Sequence, residues 1–111
     1  MSDWYSFNDG GSIGQIGSEG ERILDDEENS DGARVTVEQV SDDRWTITCG
    51  IYGWMVHTRF FPSETSAEIG FIETKRELGK ILALMPPEDE ADDARMLIVQ
   101  DAIATFVESN P

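Results

Sequence analysis

Residues 44–61, Arg-Trp-Thr-Ile-Thr-Cys-Gly-Ile-Tyr-Gly-Trp-Met-Val-His-Thr-Arg-Phe-Phe, constrain this chain more than any other stretch. They hold two of the three Trp, the single Cys and the single His, and no acid in a chain with 23 acids. Eighteen extended residues would span roughly 60 Å at about 3.3 Å each, well beyond the usual strand of about 5–6 residues. The stretch must therefore turn back on itself. Gly50 and Gly53 are the only punctuation inside it, which predicts a hairpin with strands at 44–49 and 54–61 and a turn at 50–53. On the first strand Trp45, Ile47 and Cys49 alternate with Thr46 and Thr48, the period of a half-buried strand. On the second, Trp54, Val56, Thr58 and Phe60 share one side, and Met55, His57, Arg59 and Phe61 the other; the pattern leaves open which side is buried.

The flanking sequence extends this hairpin into a sheet. Asn29-Ser30-Asp31-Gly32 and Ser41-Asp42-Asp43 are turn signals that bracket a strand at 33–40, where Val35 and Val37 alternate with polar residues. A charged strand at 21–28 precedes them, so the expectation is an antiparallel meander of about four strands. Residues 1–20 are glycine-rich and aperiodic, and are expected to be partly mobile, with Trp4, Tyr5 and Phe7 docking at the edge of the core. After Pro62 the period changes. Ala67, Phe71, Thr74, Leu78, Ile81 and Met85 form a helical stripe over 64–85, with Ser63 as its cap. Pro86-Pro87 ends it, and a second helix is expected at about 90–109, buried through Met96, Val99, Ile103 and Phe106. Strands followed by helices predict an α+β fold, a single domain over 21–111 with both helices on one face of the sheet.

Composition bounds the function. A formal charge of −15 over 111 residues argues against binding nucleic acid or anionic membrane, because both need cations on the protein. It leaves a basic protein partner, a divalent cation, or solubility alone. One cysteine excludes an internal disulfide framework and suits a reducing compartment, and no signal peptide or membrane-length apolar run is seen, so the cytoplasm is the expected location. No cofactor motif is present.

Three constellations bear on chemistry. Acids gather at Asp25, Asp26, Glu27, Glu28 and Asp31, and again at Glu88, Asp89, Glu90, Asp92 and Asp93. If the 28–32 turn and the start of the last helix lie at one end of the molecule, these residues form an anionic surface able to steer a basic protein into contact. The expected function is then a non-catalytic binding or regulatory module, an inhibitor or immunity-like role being one form. The alternatives are a small enzyme using Cys49 and His57, which adjacent strands bring within reach, and calcium binding at 27–38. In that loop Glu27, Asn29, Asp31, Gly32 and Glu38 match much of an EF-hand spacing, but without flanking helices. Monomer and homodimer both remain open; an exposed Met55/Phe61 face would favour the dimer.

Overall fold

The structure, a computed structural model, describes residues 3–111 and all of their side chains except that of Glu88. A five-stranded antiparallel sheet runs in chain order: β1 (Trp4–Ser6), β2 (Arg22–Asn29), β3 (Ala33–Ser41), β4 (Arg44–Ile51) and β5 (Met55–Phe61). Two helices follow, α1 (Glu64–Leu82) and α2 (Asp93–Ser109). The fold is α+β, with one strand more than the sequence predicts. That strand, β1, is three residues long, too short to show a period, and it sets Trp4, Tyr5 and Ser6 opposite Asn29, Glu28 and Glu27.

The 44–61 hairpin forms, but its turn sits later than predicted. Gly50 remains inside β4, where an added Cβ would come within 3.2 Å of the Met55 carbonyl, so its role is close backbone approach. Gly53 makes the turn at φ +81°, a conformation that costs Gly little and other residues more. In α1, Ser63 caps as expected, and its hydroxyl accepts from the Ser66 amide. The helix ends at Leu82, three residues earlier than the stripe suggests, and Leu84 and Met85 amides close tighter turns onto Ile81 and Leu82 before the prolines. In α2, Asp92 rather than an earlier acid is the cap, accepting from the Arg95 amide at 2.8 Å, so Glu88–Glu90 form a separate short turn.

One face of the sheet carries the apolar core. Val35 and Val37 of β3 and Trp45, Ile47, Cys49 and Ile51 of β4 are buried against Ala67, Phe71, Leu78 and Ile81 of α1, with Val99 and Phe106 of α2 completing it. Burial of each large side chain stabilises by about 1.5–3 kcal/mol. The ambiguity on β5 is resolved by its contacts. Arg59 donates to Thr74 of α1, and the Phe61 ring lies against Gly70, so Met55, His57, Arg59 and Phe61 face the helices. Those same pairings, 61 with 70 and 59 with 74, make α1 antiparallel to β5. The α1 C-terminus therefore lies at the sheet end that holds the β2–β3 and β4–β5 turns.

The opposite face is covered in part by residues 7–21. This segment has no regular period, and polar anchors hold it. The Ser12 hydroxyl donates to Asp26 at 2.8 Å, Phe7 stacks under the Arg34 guanidinium at 3.6 Å, and the Glu19 and Glu21 amides donate to buried Glu38. Gly17 passes so close to the Glu38 carboxylate that a Cβ there would meet it at 2.1 Å.

Candidate functional site

The acidic run on β2 does not present one surface. Successive strand residues point to opposite faces, and each carboxylate meets different neighbours. Asp26 lies on the covered face, is 1% exposed, and accepts from Arg34 Nε and Nη2, Ser12 and Thr36. Although its sequence neighbours are surface acids, Asp26 is a buried structural anion unavailable to a partner. Glu27 points to the helix layer and pairs with Lys75 at 3.1 Å. Glu28 accepts from the Tyr52 hydroxyl at 2.6 Å and from Tyr5 at 2.9 Å, and these two bonds hold its carboxyl below the usual range. The Tyr52 hydroxyl is pushed up to about 12 by partial burial and by its bond to Glu28. Asp25 is exposed and, with Glu64 and Glu68 of α1, lines a groove towards the far half of the sheet, and desolvation raises its carboxyl.

Asp31 is exposed in the β2–β3 turn, and Asp89, Glu90, Asp92 and Asp93 are exposed before and at the start of α2. Because α1 ends at the turn end of the sheet, this second acidic segment leaves from the same end as Asp31. The side chain of Glu88 lies outside the described residues. Arg95 sits beside this segment, within 3.8 Å of Glu90 and 4.0 Å of Asp92.

Cys49 and His57 are directly opposed on β4 and β5. Their chemistry does not follow from this proximity. The thiol donates to the His57 carbonyl at 3.4 Å rather than to its ring, and His57 Nε2 meets the carbonyl of Asn110. Cys49 is fully buried, and desolvation pushes its thiol up to about 11, so no thiolate is on hand at neutral pH. The 27–38 stretch is a tight hairpin. Asn29 Oδ1 accepts from the Asp31 amide, Glu27 faces the helices, and Glu38 is buried on the other face under the cover segment. These oxygens diverge, and among the described residues no group of three or more His, Cys, Asp or Glu is arranged to hold a metal ion.

A feature the acid pattern does not reveal is a groove of about 580 Å³ on the open sheet face, between the cover segment and β5. Thr36, Thr48 and Gly50 line it, with Gly17 and Ser18 on one side and Val56 and Tyr52 on the other. Among the described residues, the buried hydroxyls of Thr46 and Thr48 have no hydrogen-bond partner. The alternation of Thr46 and Thr48 with the core residues of β4 was the available sequence signal.

The fold and this surface define an α+β domain with an acid-rich exterior. The chain matches no protein-family model, no curated protein and no solved structure. Among the described residues, no helix is long and apolar enough to cross a membrane.

Proposed function

We propose that this chain is a non-catalytic binding module that engages a basic protein partner, as an inhibitor or immunity-like regulator would. The observation that carries it is how few cations are left to offset the acids. Of eight Lys and Arg, Arg34, Lys75, Lys80 and Arg95 are paired with the chain's own carboxylates. The acids at the turn end, Asp31, Asp89, Glu90, Asp92 and Asp93, are exposed, and among the described residues the ion pairs there are those of Arg95 with Glu90 and Asp92. An uncompensated field of this kind speeds encounter with a cationic surface and repels nucleic acid and anionic lipid. A buried reduced thiol suits the cytoplasm.

The test is affinity capture from a lysate of the source cells, comparing the native chain with a variant in which Asp31, Asp89, Asp92 and Asp93 become Asn and Glu90 becomes Gln. Asn keeps the α2 cap, so the helix is preserved. The expected result is a basic protein retained at low salt, released at about 0.3 M salt as the screening length shrinks, and not retained by the variant. Equal capture by both chains, or no capture by the native one, overturns the proposal.

A further inference from the structure

We propose that β5 is a self-association edge, pairing antiparallel with β5 of a second copy across a twofold axis at Thr58. This surface is distinct from the acidic end. β5 is the last strand of the sheet, and among the described residues only β4 pairs with it, so its outer backbone donors and acceptors are open. Sheet edges are normally blunted by shortness, proline, a bulge or an exposed charge. The β1 edge is three residues long, whereas β5 has seven, no proline, and an uninterrupted register with β4. Its Arg and its His do not guard it. Arg59 is drawn to Thr74, and His57 to the Asn110 carbonyl, both in the helix layer.

The strand is complementary to itself. Its open-face residues are Val56, Thr58 and Phe60, and Val56 and Phe60 are 80% and 60% exposed. Antiparallel pairing centred on Thr58 sets each Val56 against the partner copy's Phe60, a favourable aromatic to β-branched cross-strand pair. Twofold pairing uses one patch on both copies, which such a pattern permits. The self-complementary pattern of Val56, Thr58 and Phe60 selects a second copy as the occupant, and charge restricts where two copies can meet. Two molecules at −15 repel wherever acids face each other, and residues 44–61, which contain β5, are the long acid-free stretch where they can meet. Cys49 is buried, so no intermolecular disulfide is involved.

Sedimentation equilibrium of the full chain tests this. The expected mass rises with concentration from 12.4 kDa towards twice that value. Self-association strengthens between about 0.05 M and 0.5 M NaCl, because screening relieves repulsion. This is opposite in sign to capture of a basic partner, so the two proposals fail separately. Thr58→Glu, which sets two carboxylates face to face at the axis, weakens dimerisation by about tenfold or more. A chain with Val56→Lys and Phe60→Lys is monomeric alone, as is one with Val56→Glu and Phe60→Glu, but the two pair when mixed. Both sites are exposed, so circular dichroism of these variants matches the native chain. A native mass that stays at 12.4 kDa at both salts overturns the proposal and leaves this edge to a strand from another protein. A dimer that survives Thr58→Glu, or a charged pair that does not mix, overturns the proposed interface.

Discussion

Asp26 and Cys49 show how far residue type is from residue role in this chain. Asp26 sits in an acidic run that reads as solvated surface, yet its carboxylate is fully buried and holds Arg34, Ser12 and Thr36. The sequence could give the run but not its division between faces, because the bulge between Ile23 and Asp25 shifts which positions point inward. Removing Asp26 leaves Arg34, whose side chain is 34% exposed, without its carboxylate and the buried Ser12 and Thr36 hydroxyls without their acceptor. Asp26→Ala should therefore lower unfolding stability in urea by about 1–3 kcal/mol, whereas Asp31→Ala, in the exposed turn, should stay within about 0.5 kcal/mol. For Cys49, alternation with Trp45 and Ile47 correctly indicated a buried thiol. The unfolded thiol ionises near 9 and the folded one keeps its proton to about 11. Unfolding in that window releases a proton, so this stabilisation is complete below pH 9 and is lost as pH rises towards 11, by up to about 1.4 kcal/mol per pH unit. Urea titrations across this range should show the decline, and Cys49→Ala should lessen it between pH 9 and 10, below the range where Tyr52, also raised in the fold, adds its own decline. In the folded chain at pH 7.5 a thiol reagent should label Cys49 only on the unfolding timescale.

At the scale of elements, the period-two strands and the 3.6-period helices were legible because each buries one face against another layer. What the pattern could not separate was the role of two helix glycines. Gly70 and Gly79 look alike in sequence, and each weakens a helix relative to Ala. At Gly70 an added Cβ would meet the Phe61 ring at 2.4 Å, while at Gly79 it would meet nothing within 4 Å. Gly70→Ala should destabilise by about 1–3 kcal/mol, because overpacking exceeds the gain in propensity. Gly79→Ala should stabilise by up to about 1 kcal/mol. Thermal unfolding of the two variants should move in opposite directions; a shift of the same sign in both would show that α1 does not rest on Phe61 as described. β1 and the cover segment escaped the sequence for a related reason. Their conformation is set by distant partners, Glu28, Asp26 and Glu38, and not by any local repeat.

For the whole molecule, charge and topology pull on different properties. The two proposed surfaces answer to salt with opposite signs, because screening weakens attraction of a basic partner and relieves repulsion between two copies at −15. Of the candidate acids, the exposed members at the turn end were legible from composition; their common end depended on the antiparallel run of α1 against β5, which only the contacts 61 with 70 and 59 with 74 reveal. Topology has a kinetic consequence. From β2 to β5 each strand is joined to its neighbour by two or three residues, with no crossover. Loop closure for these hairpins is entropically cheap, and each can form in about 1–10 μs. The longest-range closures are those that seat the helices, Glu27 to Lys75 and His57 to Asn110. Helix docking onto a preassembled meander, rather than strand pairing, should then set the folding rate, and the Phe61–Gly70 contact lies on that slow step.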